Sequence, residues 1–558
     1  MCSSWFRKPT RGAIGCKPVD LVIAGSTVRP LGAIVLAAGL GTRMRSARAK
    51  VLHELGGRPL IRYPLAALAP LEPSRVVVVV GHQAGEVRAA ALASGLAVET
   101  ALQPEQRGTG HAVQCAVPAL DGFDGDLLLL YGDVPLVTTA TLRRLLETHR
   151  AERAHLTLLT MRFADPTGYG RILRDGAGRV RSIVEHRDAT PAEREIKEAN
   201  PGLYCVRAST LFPLLRALRA DNAQGELYLT DIVGLAAAAG QVVASVELER
   251  PDEVAGINTR AELAHMEAQL RDDLTRRWMD AGVTFEDPAT AYVGPEVEIG
   301  RDTVIGPNVV LRGKTTIGEG CRIDGTAFLV DTRLGNRVHV RFACTAEEAV
   351  VADDAIIGPF ARLRPGTDLG PRVHVGNFVE TKKAKLGAGT KANHLTYLGD
   401  CEIGPDTNVG AGTITCNYDG STGKKSKTTI GARVQIGSDT QLVAPVTVHD
   451  DAYIAAGTTV TQDVPQGALV ATRAPTRVIE GWVARRRAFG KRGADAKRAA
   501  VGPGGAAPSD YRGATAAPPG PTARRLANAT PKPKARRKKT PTKTKKTRRT
   551  KARARRRR

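Results

Sequence analysis

The stretch YVGPEVEIGRDTVIGPNVVLRGKTTIGEGCRI, Tyr292–Ile323, repeats every six residues. Val293, Ile299, Ile305, Leu311, Ile317 and Ile323 share one phase, which continues to Leu329. Ile430, Ile436, Leu442, Val448, Ile454 and Val460 hold a second phase of the same period. An amphipathic helix would place apolar residues three and four apart, and a half-buried strand would place them two apart. A period of six with glycine in step predicts a parallel β-helix of hexads, each contributing one short strand and one turn. The aliphatic side chain points inward, and one coil cannot bury its own face, so coils must stack. The phase breaks between Leu334 and Ile357, between Leu386 and Ile403, and between Val409 and Ile430. Extra residues in a solenoid leave it as loops, and such loops tend to carry function. The second break contains KANHLTYLGD (Lys391–Asp400) and the third CNYDGSTGKKSK (Cys416–Lys427).

Upstream of the hexads the pattern changes. Strands are predicted over Gly32–Ala37, Arg75–Val80, Asp126–Tyr131 and His155–Met161, with helices between them, as at Glu86–Ala93 and Thr141–His149. That alternation implies a parallel sheet covered by helices on both faces. Thr259–Gly282 reads as one amphipathic helix, opened by a Thr259/Glu262 capping box, that links the two regions. The expected organisation is an extension over 1–30, an α/β domain over 31–258, a linker helix over 259–282, a β-helix over 283–482 and a disordered basic tail over 483–558.

The formal charge of +25 is concentrated at one end. Pro521–Arg558 holds nineteen Lys or Arg and no acid. It is too poor in apolar residues to order itself, and it reads either as a solvated extension with no partner or as a polycation that binds a polyanion without sequence preference. The eight cysteines form no Cys-x-x-Cys pair, which argues against a zinc site or disulfide framework and fits free thiols in a reducing cytoplasm. No apolar run is long enough for a transmembrane helix.

Two places carry chemistry. LAAGLGTRM (Leu36–Met44) follows a strand, where α/β sheets bind ligands. Gly39 and Gly41 allow the backbone close to a phosphate, the helix start expected after them offers free N–H groups, and Arg43 and Lys50 add cations. It is neither a Walker loop nor a dinucleotide fingerprint, and alone it is equally an ordinary glycine-rich turn. Asp133 ends LLLLYGD (Leu127–Asp133), where a carboxylate can hold Mg²⁺ against phosphates. Gln103 and RGTGHA (Arg107–Ala112) add polar groups nearby. In the β-helix, His394 falls in KANHLTYLGD, with Arg364 in RPG, Lys382 in NFVETKK, Tyr397 and Asn408 in its neighbourhood. Arg364 and Lys382 suit a phosphate, and His394 suits removal of a proton from an amine attacking a thioester. A lone histidine is otherwise a structural residue.

These motifs resemble the sugar-nucleotide pyrophosphorylases. With the hexads, the chain from about Leu31 to Trp482 is similar to the bifunctional N-acetylglucosamine-1-phosphate uridylyltransferase/glucosamine-1-phosphate acetyltransferase family. The resemblance implies a Rossmann-like nucleotidyltransferase domain, a left-handed β-helix, a homotrimer, and Mg²⁺ and acetyl-CoA as cofactor and acetyl donor. It places the uridine nucleotide against Leu36, Ala37, Ala38, Gly39, Gln103, Gly108 and Thr109. Arg43 and Lys50 would be catalytic at the triphosphate, with Lys50 also a binding residue. Tyr131, Gly132 and Asp133 would close that site, and Gly170, Glu185 and Asn200 would hold N-acetylglucosamine 1-phosphate. Asp133 and Asn258 would be the Mg²⁺ ligands, although Asn258 also reads as a helix cap. For acetyl transfer, His394 would be the proton acceptor and Arg364, Lys382, Tyr397 and Asn408 would hold glucosamine 1-phosphate. Ala411, Asn417, Tyr418, Ser438, Ala456 and Arg473 would hold acetyl-CoA, and Glu380 would orient His394. The chain departs from the family at Ala49, usually proline, and at Pro201, usually threonine, and its loop around Ser421–Ser426 is about two residues longer. The alternatives are a single-site pyrophosphorylase with a structural β-helix, and a nucleic-acid-binding protein read from the tail alone.

Overall fold

The computed structural model describes residues 29–473 and 475–499. Most of the expected N-terminal extension and all of the cationic Pro521–Arg558 stretch lie outside the described residues.

The α/β region is built on a sheet whose central strand is Leu31–Ala37. Arg75–Val80 pairs with it in parallel on one side and Asp126–Tyr131 on the other. The Leu31–Ala37 strand is buried along its whole length, and helices cover both faces to give two apolar layers. Strand order reverses at this strand, which is where an open α/β sheet leaves a crevice at its carboxyl ends. The expectation of a parallel sheet is corrected in one respect: Tyr204–Arg207 runs antiparallel to both Asp126–Tyr131 and Leu156–Arg162, so the sheet is mixed.

The hexads form a β-helix. Phe285 pairs with Ile305, Ile305 with Ile323 and Ile323 with Val340 up one face. Val293, Leu311 and Leu329 climb a second face, and Ile299, Ile317 and Leu334 a third. The inward side chains merge into one continuous apolar core from Trp278 to Val464.

Two of the three phase breaks are not loops. Ile299 pairs with Ile317, eighteen positions on, but Ile317 pairs with Leu334 and Leu334 with Val351, seventeen on. Leu369, Leu386 and Ile403 are also seventeen apart. Those coils are one residue short at the corner between the second and third faces, and in the last two the chain crosses it as a continuous strand, Glu380–Leu386 and Tyr397–Ile403. KANHLTYLGD therefore stays in the coil. The third break is a true excursion: Ile403 pairs with Ile430, and Cys416–Lys427 leaves at the same corner.

The Arg260–Asp280 helix begins with both halves of the Thr259/Glu262 capping box in place. Met266 packs into a cluster with Leu55, Leu60, Tyr63 and Ile257 of the α/β region, while Trp278 enters the core of the β-helix. Disorder was expected from 483 onward, but Trp482–Ala499 is a helix. Its Trp482, Val483 and Phe489 are exposed, consistent with a segment too basic to form a core. No helix among the described residues is long and apolar enough to cross a membrane.

Candidate functional site

The first site lies at the strand reversal. Leu36, Ala37, Ala38 and Gly39 leave the end of the central strand, and Tyr131, Gly132 and Asp133 leave its neighbour. All of these but Gly132 line, together with Lys50, Gln103, Gly108, Thr109 and Asn258, a cleft of about 330 Å³. The Gly132 N–H donates to Leu36 O at 2.9 Å, fixing the two strand ends against each other. Gly108 has φ +101, and a Cβ there would meet Leu227 O at 2.6 Å, so only glycine suits that turn. Gln103 is buried and donates through Nε2 to Gly108 O at 3.1 Å. The glycine loop does not lead into a full helix. Thr42–Met44 is one 3₁₀ turn, so the expected set of free helix N–H groups is not provided there. Arg43 and Lys50 remain as cations.

Those cations converge with the two expected metal ligands. Lys50 Nζ donates to Asp133 Oδ2, and also to Asn258 Oδ1 at 3.1 Å. Arg43 Nη2 donates to the same Asn258 oxygen at 2.8 Å. Asn258 does not cap the helix with its side chain; Thr259 does. A carboxylate and an amide oxygen from distant elements thus face one cationic point. Two oxygens fit Mg²⁺, which keeps water and substrate phosphates for its other positions. No cluster of three or more metal-ligating side chains exists among the described residues.

The expected sugar residues also gather. Asn200 pairs with Gly170 across antiparallel strands, and a Cβ on Gly170 would lie 3.6 Å from the Glu185 carboxylate. Asn200 donates to Tyr204 Oη at 2.8 Å and accepts from the Gly202 N–H at 3.0 Å, which sets its orientation across Pro201. Burial pushes the Glu185 carboxyl up, opposed by the hydrogen bond from Thr230 Oγ1 and reinforced by the Asp231 and Asp188 carboxylates.

The second set of residues lies on the β-helix. His394 sits one coil above Asn377, at the corner between the first and second faces. The same corner continues through Ala411, Ser438 and Ala456. Backbone bonds run from Gly412 N to Leu395 O, from Asp439 N to Ala411 O and from Gly457 N to Ser438 O. Arg473 follows the last coil, just after Thr472, which bonds back to Thr458. Tyr397 lies on the second face directly above Glu380, while Asn408 lies on the first face above Lys391. Arg364 and Lys382 stand at the far edge of the second face. Glu380 is corrected: it accepts from Arg364 Nη1 at 2.7 Å, not from His394.

Asn417 is buried at the root of the excursion and donates to Asp400, while Tyr418 is exposed. The excursion is ordered by Asp419, whose carboxylate accepts from Ser421 and Thr422 and is held down to about 2 by those bonds. Cys401 beside it is no nucleophile: burial, then the Asp400 and Glu402 carboxylates, push its thiol up to about 12.

Residues 33–231 match the MobA-like NTP transferase domain family, and 296–329 and 427–462 match the bacterial transferase hexapeptide family. The bifunctional protein GlmU of Trichlorobacter lovleyi is 50% identical over 455 residues, covering 82% of this chain and 98% of that relative. The GlmU of Pelobacter propionicus is 50% identical over 452 residues, covering 81% and 98%. That of Anaeromyxobacter sp. is 52% identical over 461 residues, covering 82% and 93%. The chain belongs to the GlmU family. It is a bifunctional uridylyltransferase and acetyltransferase, with the two activities matched by its two domain types.

One further residue beside this second set was not singled out from the sequence. Lys425, on the excursion, lies against Lys382, and its ammonium first, with Arg364 second, holds the Lys382 ammonium below its usual range. Three cations at one edge suit an anion. The signal was the lysine pair in GKKSK, which reads equally well as a solvated loop.

Proposed function

We propose that this family member makes UDP-N-acetylglucosamine in two steps. Acetyl-CoA acetylates glucosamine 1-phosphate at the β-helix, and UTP then converts N-acetylglucosamine 1-phosphate to the nucleotide sugar at the α/β domain, 31–258. One observation carries this reading: Arg43, Lys50, Asp133 and Asn258, spread over more than two hundred positions, meet at one point in a cleft at the strand reversal.

In the second step an oxygen of the sugar phosphate attacks the α-phosphorus of UTP and pyrophosphate leaves. No side chain need be a nucleophile, so catalysis is positioning and charge neutralisation. Asp133 and Asn258 would hold Mg²⁺, which when bound would supply positive charge against that of the phosphates. Leu36–Gly39, Gln103, Gly108 and Thr109 would hold the nucleotide, Arg43 and Lys50 the phosphates, and Gly170, Glu185 and Asn200 the sugar. In the first step Arg364, Lys382 and Lys425 hold the phosphate of glucosamine 1-phosphate, with Tyr397 and Asn408 on the sugar. His394 takes a proton as the amine attacks the thioester, and CoA leaves along Ala411, Asn417, Tyr418, Ser438, Ala456 and Arg473. The product is a precursor of the bacterial envelope, and the free state of all six described cysteines supports work in the cytoplasm.

The test is a pair of assays on purified full-length protein: acetyl-CoA consumption with glucosamine 1-phosphate, and pyrophosphate release with UTP and N-acetylglucosamine 1-phosphate. A single-site pyrophosphorylase would give only the second.

The active assembly is a homotrimer in this reading. Tyr397 and Asn408 face outward from different faces of the prism, so two chains aim them at one substrate more readily than one chain does. The corner that carries His394 also carries a seam. Phe342, Phe360, Phe378 and Leu395 stack on successive coils and are 49%, 44%, 58% and 62% exposed. Phe360 and Phe378 lie 5.3 Å apart in parallel planes, both with positive φ, an uncommon conformation for bulky residues. Phe360→Asp is expected to cost roughly 2–4 kcal/mol at such an interface, to shift sedimentation toward monomer, and to lower acetyl transfer without lowering uridylyl transfer. A monomer that acetylates at the full rate would rule the trimer out.

The tail is read from its composition alone. Nineteen cations without an acid or an aromatic should bind duplex DNA with no sequence preference, log affinity falling with log salt at roughly −0.9 per phosphate neutralised. A chain ending at Gly502 is expected to lose this binding and keep both activities. Equal DNA binding by the two chains across a salt series would leave the tail inert.

A further inference from the structure

Ala49 stands immediately before Lys50, where the resemblance to the family implies a proline. Its backbone already has proline's shape, with φ −57° and ψ 141°. What differs is the N–H. Ala49 is 1% exposed, and a buried N–H requires an acceptor. The acceptor is Oε1 of Gln83, at 2.6 Å.

Gln83 is unusually placed to accept it. It precedes the Ala84–Leu92 helix with φ +53°, a left-handed conformation uncommon for a side chain of its kind. Its side chain does not cap that helix. It reaches across to the loop before Lys50 instead. Beside it, His82 Nε2 lies 3.1 Å from Ala47 O. Both residues follow the Arg75–Val80 strand, which pairs with the central Leu31–Ala37 strand. The loop that delivers Lys50 is therefore tied to the middle of the sheet through two side chains. Lys50 needs such support, because its 3₁₀ turn is one turn long and no side chain caps it.

We propose that Gln83 is a positioning residue for uridylyl transfer: it holds Lys50 on Asp133 and Asn258 through the Ala49 N–H, replacing the restraint a proline ring would supply. The proposal rests on the reading of Lys50 as the cation at the transferred phosphate. A proline restrains the loop locally by closing φ. Here the same backbone shape is kept by a long-range hydrogen bond, and losing the acceptor both frees φ and leaves a buried donor unpaired.

The experiment is a double-mutant cycle on the full chain, with both activities measured. Gln83→Leu is expected to lower the kcat of uridylyl transfer about 10-fold, as a slightly misplaced catalytic group does, and to leave acetyl transfer unchanged. Gln83→Glu keeps the acceptor and should stay within about 3-fold of the parent. Ala49→Pro should be near the parent, and adding Gln83→Leu to it should cost less than about 2-fold, because the N–H is gone. An equal fall with and without Ala49→Pro, no fall in either, or loss of acetyl transfer with Gln83→Leu would overturn the proposal. Lys50→Ala, measured alongside, separates the two readings. Full uridylyl transfer by that variant would overturn the role of Lys50 itself, whereas a silent Lys50→Ala with an additive cycle overturns only the clamp.

Discussion

His394→Ala is expected to abolish acetyl transfer, by roughly 10²–10⁴-fold, and to leave uridylyl transfer near normal. The size follows from the task. The amine of glucosamine 1-phosphate must shed a proton as it attacks the thioester, and a positioned imidazole can accept it. Neither Cys401 nor Cys416 can replace it, since Cys401 is held up to about 12 and Cys416 is raised by burial. The selectivity follows from the fold. His394 lies on the β-helix, on a coil that belongs to a core separate from both apolar layers of the α/β sheet. The side chain is exposed at a corner, so removing it leaves no cavity. If a folded His394→Ala chain lost both activities, the assignment of two sites would fail.

Asp133→Ala should do the reverse, lowering pyrophosphate release by roughly 10²–10³-fold while acetyl transfer continues. Removing Mg²⁺ with a chelator should mimic it, because nothing in the acetyl-transfer residues calls for a metal. The carboxylate also accepts from Lys50, and its own backbone oxygen accepts from Ile257 N at 2.9 Å, next to Asn258. Losing the side chain therefore removes one expected metal ligand and releases Lys50 at the same time. Asp133→Asn separates these effects, since an amide oxygen still accepts from Lys50 but is a weaker ligand. Uridylyl transfer by Asp133→Ala at the parental rate, with or without chelator, would exclude Asp133 from the reaction.

Much of this was legible from residue order. Inward side chains six apart allow one solenoid and little else, and the capping box at Thr259 appears where Thr and Glu are spaced for it. The KANHLTYLGD segment was misread for a definable reason. Leu386 to Ile403 is seventeen positions, one short of a multiple of six, and a phase count registers a mismatch without its sign. One residue short means a tightened corner; the larger excess between Ile403 and Ile430 means an excursion. Other features were out of reach because their partners are distant. Gln83 meets Ala49, and Glu380 prefers Arg364 to His394, only because the fold brings strand ends and coils together. The reversed Tyr204–Arg207 strand is as apolar as its parallel neighbours, and burial alone does not record direction.

The corner that runs from His394 through Ala411 and Ser438 to Ala456 is also a scale. Adjacent coils are separated by the strand spacing of ~4.8 Å, so the three steps measure about 14 Å. A donor whose reactive end lies opposite His394 and whose far end rests near Ala456 is thereby gauged for the length of its arm. Because coils are added and removed in whole units, that gauge has only discrete settings. Deleting one complete coil between His394 and Ala456 would keep every inward side chain in phase and the core closed, yet it would shorten the scale by one graduation. An acetyl carrier with a correspondingly shorter arm would then be favoured over the longer one.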